Sequence, residues 1–98
     1  MKTFEDLKFE PWCRMGKRAE VHYPKNYADA KHAILNFPNG YGVSVLFGDV
    51  FYSNGIDSYE VGILKDGELC YNTPITDDVI GYVSKEGVTR IMKQVQEL

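Results

Sequence analysis

The stretch that decides the fold is Lys31–Phe47, KHAILNFPNGYGVSVLF. Two apolar-rich runs flank Pro38-Asn39-Gly40, a tripeptide with the chemistry of a three-residue hairpin loop. Proline presets the first turn position, and Gly40 takes the left-handed conformation of a bulge. That loop length pairs Phe37 with Tyr41, Leu35 with Val43 and Ala33 with Val45. Side chains alternate faces along a strand. One face therefore collects Ala33, Leu35, Phe37, Tyr41, Val43, Val45 and Phe47, and the other His32, Ile34, Asn36, Ser44 and Leu46. An antiparallel sheet buried mainly on one side sorts in this way.

The same reasoning applies to Tyr59–Tyr71, YEVGILKDGELCY. A two-residue Asp66-Gly67 loop pairs Leu64 with Leu69 and scatters apolar residues over both faces. A three-residue Lys65-Asp66-Gly67 loop pairs Ile63 with Leu69 and Val61 with Tyr71. It gathers Tyr59, Val61, Ile63, Leu69 and Tyr71 on one face and leaves Glu60, Gly62, Leu64 and Cys70 on the other. Because a one-residue slip moves a whole hydrophobic set, the three-residue form is expected.

Between the hairpins, Gly48–Ser58 reads either as a long loop or as a short extra strand with a turn at Ser53-Asn54-Gly55. After Tyr71, NTPITDD precedes one expected helical turn, Val79–Tyr82, capped by Thr76 or Asp77. Ser84 is placed to cap a final helix, Lys85–Glu97, whose apolar face carries Val88, Ile91, Met92, Val95 and Leu98. Gly87 early in that helix costs about 1 kcal/mol relative to alanine. At the other end, Thr3 and Asp6 have capping-box spacing for a short turn through Leu7 that Pro11 ends. Trp12–Ala30 is irregular, with Glu20–Tyr23 a candidate strand that Pro24 demotes to an edge or loop. The expected architecture is α+β: a mainly antiparallel β-meander built from two hairpins, covered on one face by a C-terminal α-helix.

Ninety-eight residues suit one domain, 1–98, with one core. A hydrophobic share of 44% and an aromatic share of 13% argue against disorder. No apolar run approaches the roughly 20 residues that span a bilayer. The first residues, MKTFEDLKFEPW, carry acids among their apolar residues, so no cleaved signal peptide is expected and the cytosol is the default. Cys13 and Cys70 read as two reduced thiols. With no CxxC, and with His22 and His32 badly placed around the cysteines, no metal site and no cofactor are expected.

The net charge of −3 is unevenly spread: residues 1–48 carry seven basic and five acidic side chains, residues 49–98 four and nine. Arg14, Lys17, Arg18 and Lys25 form a basic cluster that reads as a solvated loop or a phosphate contact. An acidic chain without a basic stripe is a poor nucleic-acid binder.

FPNGYGVSV, with YEVGILKDGELCYNTPITDDVIGYVSKEGVTRIMKQVQEL downstream, resembles a family of small bacteriophage and prophage proteins. Its pattern is an F-P-N-G-Y-G-x-S-V segment, a D-G turn, a T-P-I-T-D-D-V motif and a closing helix. The resemblance covers Phe37–Phe47 and Tyr59–Leu98, and departs from the pattern at Asn72, where an aspartate commonly precedes Thr-Pro. It implies a phage accessory product in a host bacterial cytoplasm, and it implies no residue roles.

The outward sheet face brings together His32, Ser44, Glu60 and Cys70, the ingredients of a nucleophile, a base and an orienting carboxylate. No glycine-rich nucleophile turn surrounds Ser44 or Cys70, so a scattered polar face is the competing reading. Asp77 and Asp78 suit either capping or Mg²⁺. Asn54, Gly55 and Asp57 resemble a turn rather than a calcium loop, and no phosphate-cradling fingerprint occurs. Trp12, Phe51, Tyr52 and Tyr82 have no obvious inward place. Ile34, Leu46 and Leu64 add an apolar strip to the outer face. That strip is either covered by residues 12–30 or an interaction surface, for a partner or for a second copy as a homodimer.

The expected function is therefore that of a non-enzymatic accessory protein that binds a host protein, as an inhibitor of a host defence system. Its candidate interaction residues are Trp12, Arg14, Arg18, Phe51, Tyr52, Asn54, Thr76, Asp77 and Asp78. The alternatives are a binder that sequesters a small nucleotide, with tyrosines stacking on bases, a small hydrolase, and a virion structural protein.

Overall fold

Alternating burial along Lys31–Phe47 carries directly into a sheet. The computed structural model describes residues 1–12 and 30–98. Cys13, Arg14, Lys17, Arg18, His22, Lys25 and the candidate strand Glu20–Tyr23 lie outside the described residues. Six strands form one antiparallel sheet: β1 (Glu10–Pro11), β2 (Lys31–Asn36), β3 (Tyr41–Phe47), β4 (Tyr59–Lys65), β5 (Glu68–Leu69) and β6 (Ile80–Val83). The order is β1-β2-β3-β4-β5, with β6 also paired to β4. Among the described residues one α-helix, α1 (Lys85–Gln96), packs against one face. The fold is α+β, an antiparallel meander with a C-terminal helix.

The first hairpin has the expected register, with Leu35 opposite Val43 and Ala33 opposite Val45. The Phe37 N–H donates to the Tyr41 carbonyl at 2.7 Å, and Gly40 is left-handed at φ +88°. Asn39 does more than turn the chain. Its Oδ1 accepts from the Tyr41 N–H, and its Nδ2 donates to the Val95 carbonyl at 2.9 Å. That second bond reaches a carbonyl in the last turn of α1, where it joins the Leu98 N–H as a donor to Val95 and ties the hairpin to the helix end.

The second hairpin corrects the expected three-residue loop. Leu64 stands opposite Leu69 and Lys65 opposite Glu68, joined by Asp66-Gly67 alone. Both loop residues are left-handed, at φ +53° and +85°. That is the requirement of the two-residue turn whose twist matches the flanking strands, so turn geometry overrides face sorting. The cost is small because β5 has only two residues. Leu69 and Tyr71 end up exposed, and the place expected for Tyr71 opposite Val61 is taken by β6, with Val61 opposite Ile80 and Tyr59 opposite Val83.

Val79–Tyr82 is correspondingly not a helical turn, since Ile80–Val83 is a strand with a bulge and a left-handed Tyr82 at φ +53°. Pairing to the free edge of β4 satisfies this backbone better than an isolated turn would. Gly48–Ser58 contains no strand and is a loop.

Ser84 caps α1 as expected, its Oγ accepting from the Gly87 N–H at 3.1 Å. The helix buries Val88, Ile91, Met92 and Val95 against Val43, Val45, Val61 and Ile63 of the sheet. It ends at Gln96, one residue early, and Leu98 is exposed rather than part of the apolar face.

The first residues close the core at the end the hairpins leave open. Phe4–Asp6 forms a single 3-10 turn in which the Asp6 carboxylate accepts from the Thr3 N–H at 2.8 Å. Phe4, Leu7 and Phe9 pack on the core, and the rings of Phe4, Phe9 and Phe47 lie 5.1–5.8 Å from Tyr59. Gln96 clasps this segment, accepting from the Lys2 N–H and donating to its carbonyl, both at 2.8 Å. The Phe4 N–H donates to Thr89 Oγ1. Burial, and secondarily the Asp57 carboxylate, hold the Tyr59 phenol above its ordinary pKa.

Candidate functional site

A loop whose serine and asparagine side chains bond its own backbone can hold its other side chains out to solvent without losing shape. Gly48–Ser58 is such a loop. Ser53 and Ser58 are buried although polar. Ser53 Oγ accepts from the Gly48 and Gly55 N–H groups and donates to the Ser58 carbonyl at 2.6 Å. Asn54 Oδ1 accepts from the N–H groups of Ile56, Asp57 and Ser58, while its Nδ2 donates to Asp57 Oδ1 at 2.7 Å. Ser58 Oγ takes the Asn54 N–H. The N–H groups of Gly48 and of Asn54–Ser58 are thereby satisfied by the loop's own side chains, as Asn and Ser favour in turns.

The loop is also fastened to the sheet. The Tyr52 N–H donates to Glu60 Oε1 at 3.1 Å, and its carbonyl accepts from the Tyr82 N–H at 2.8 Å. Gly81 is glycine for a visible reason: a Cβ there would stand 2.7 Å from that of Tyr52. Three large side chains of this loop and of the strand joined to it stand in solvent, Tyr52 60%, Ile56 80% and Tyr82 65% exposed. Tyr82 also holds a left-handed backbone uncommon for a residue with a bulky side chain. Asp49, Asp57 and Glu60 surround the loop, and residues 48–64 contain no lysine or arginine.

The sequence-derived candidates divide accordingly. Tyr52 lies in this surface, and Asn54 positions it from within. Phe51 and Trp12 are half-buried and meet edge-on at 5.7 Å, so they support the loop more than they present a face. Thr76 and Asp78 are occupied by local turns: Thr76 Oγ1 accepts from the Asp78 N–H, and Asp78 Oδ1 from the Val79 N–H. Thr73 bonds both the N–H and the carbonyl of Thr76. Asp77 is exposed at the tip. Arg14 and Arg18 lie outside the described residues. Ile56 was not among the candidates, and nothing in its sequence context separates it from an ordinary loop residue.

The suggested catalytic face does not assemble. The observed register sets Leu69 opposite Leu64 rather than Ile63, and the Cys70 N–H donates to the Ile63 carbonyl, so Cys70 shifts by one residue off the face that carries Glu60 and Gly62. Cys70 Sγ donates to Asn72 Oδ1 at 2.8 Å. His32 and Glu60 flank Leu46 on opposite sides, two strand spacings or roughly 10 Å apart. Nδ1 of His32 is buried and has no hydrogen-bond partner among the described residues. A shallow depression of about 470 Å³ lies beside Cys70, lined by Lys65, Glu68, Leu69, Tyr71 and Asn72, without a histidine to serve as base. Among the described residues no three His, Cys, Asp or Glu side chains gather as a metal site, and no helix is long and apolar enough to cross a membrane.

No family model, curated protein or solved structure matches the chain. Fold and site together define a small α+β domain that presents an aromatic surface on a fixed loop.

The fixity is testable. Asn54→Ala removes the acceptor of several loop N–H groups and is expected to cost about 1–3 kcal/mol. Amide exchange at Ile56–Ser58 should accelerate while β3 and β4 keep their protection. Unchanged exchange in the loop would show that Asn54 does not hold it.

Proposed function

We propose that the protein is a non-catalytic binding module that docks on a host protein through Tyr52, Ile56 and Tyr82. The observation that carries this reading is exposure on a fixed base: large apolar side chains stand in solvent on β6 and on a loop whose own side chains bond the N–H groups of residues 54–58. Ordering costs are met before binding, which favours affinity. Tyrosines are the residue type enriched at the energetic centres of interfaces. The acidic surroundings suit a basic surface on the target and speed encounter with it. The resemblance to small phage and prophage proteins supports a host-directed role in the bacterial cytoplasm, as an inhibitor of a defence system whose working surface is basic.

The test is affinity capture from bacterial lysate, followed by direct binding to the captured protein. The Tyr52→Ala/Tyr82→Ala double variant is expected to bind at least about tenfold more weakly, since truncated hot-spot residues cost about 2 kcal/mol or more. Equal binding by the variant, with its fold intact by circular dichroism, rules out this surface.

A further inference from the structure

The two edges of the sheet are finished differently. At the β6 edge the ladder is interrupted by a bulge and by left-handed Tyr82, whose N–H is taken by the Tyr52 carbonyl. Such devices keep an edge from pairing with another chain. The β2 edge has less. There β1 pairs only with Lys31 and His32.

The phase of the ladder shows what this leaves open. The bond from the Phe37 N–H to the Tyr41 carbonyl means that Phe37, Leu35 and Ala33 direct their main-chain groups to β3. Those of His32, Ile34 and Asn36 face the opposite side, where His32 meets Glu10. The N–H and C=O groups of Ile34 and Asn36 have no main-chain partner among the described residues. Both residues are exposed, Ile34 at 57%. The window 33–37 reads AILNF, with no charge and no proline.

We propose that this edge pairs antiparallel with the same edge of a second copy, about a two-fold axis at Leu35. The window runs from the end of β1 at His32 to the turn at Pro38, so it is centred on Leu35. The symmetry sets Ile34 of each copy opposite Asn36 of the other, each pair exchanging both N–H···O bonds. Leu35, only half-buried in one copy, meets its mate at the closer, non-hydrogen-bonded spacing on the core side. The occupant of such an edge must be extended, uncharged and free at alternate main-chain positions. The β2 edge itself meets all three conditions, and a copy brings no like charge into the window although the chain carries a net −3. The paired area is small beside the roughly 800 Å² per partner of a standard interface, so the dimer is concentration-dependent.

Sedimentation equilibrium of the full chain, up to about 1 mM so that a millimolar Kd is visible, tests the proposal. The weight-average mass should rise toward twice that of the monomer. Ile34→Pro deletes an outward N–H without touching the β3 ladder, and Ile34→Lys places a charge in the window. Each is expected to weaken dimerisation at least about tenfold. The lysine variant, at an exposed position, carries the test if the proline variant does not fold. Amides of Ile34 and Asn36 should gain exchange protection with concentration, and Tyr82→Ala should leave the mass unchanged, which separates this edge from the partner surface. A monomer at every concentration overturns the proposal and leaves the edge to a strand of another chain. A dimer indifferent to both Ile34 variants overturns it equally.

Discussion

Replacing Tyr59 with alanine is expected to lower the stability by about 3–5 kcal/mol, the range for removing a buried aromatic ring. Tyr59 is the residue where three parts of the chain meet: Phe47 from the first hairpin and Phe4 and Phe9 from the N-terminal segment all pack on its ring. Alanine removes contacts with all of them at once, and aromatic pairs contribute beyond their buried area. A domain of ordinary stability, about 5–15 kcal/mol, then unfolds in mild denaturant. The denaturant midpoint measures the loss, and proteolysis near Phe9 should report release of the first residues. A loss below about 1 kcal/mol would mean that Phe4 and Phe9 collapse into the space, contrary to the partial relaxation cores normally show.

The phenol supplies a second readout at the same position. Its folded pKa is raised, chiefly by burial and then by Asp57. The neutral phenol is therefore favoured in the fold, and its contribution is fully present below the unfolded pKa of about 10. It is lost as pH rises through the folded pKa. Tyr59→Phe should flatten that alkaline decline relative to the parent protein.

Met92→Ala should cost about 2–5 kcal/mol. Met92 is fully buried in α1, within the cluster that includes Val43, Val45, Val61 and Ile63. The exposed neighbour Lys93 is the contrast: Lys93→Ala should stay within about 0.5 kcal/mol. Equal midpoints for the two variants would contradict the packing of α1 on β3 and β4.

Particular elements show how much of this was legible in the residues. The first hairpin could be read in full because two independent signals agreed, the Pro38-Asn39-Gly40 turn chemistry and the sorting of Ala33 through Phe47 onto one face. At Lys65-Asp66-Gly67 the signals conflicted. Face sorting favoured the longer loop, but Asp66 and Gly67 could both adopt left-handed backbone, and local geometry prevailed. Val79–Tyr82 carries no local sign of a strand, because Ile80–Val83 is a strand only by pairing with β4, a contact that no local pattern announces. Phe4, Leu7 and Phe9 were likewise silent as core residues, since too few residues precede Pro11 to show a period.

The candidate site was partly legible. Tyr52 and Tyr82 stood out as aromatics without an inward place, and Asn54 as a turn residue. Their meeting, through one hydrogen bond between Tyr52 and Tyr82, was not legible. The memorable motifs turned out to be scaffold in large part. Asn39 of FPNG ties the hairpin to Val95, and the threonines of TPITDD bond their own turn.

The sequence by itself determined the α+β class, the first hairpin and its register, and the capped helix with Val88, Ile91, Met92 and Val95 inward. Those features depend on interactions within a few residues or on a simple period. Only the tertiary structure decided which strands flank β4, how the N-terminal aromatics close the core around Tyr59, and which side chains are left in solvent. Such features arise from contacts between distant segments competing for the same strand edge or cavity, and that competition is settled by geometry rather than by any local preference.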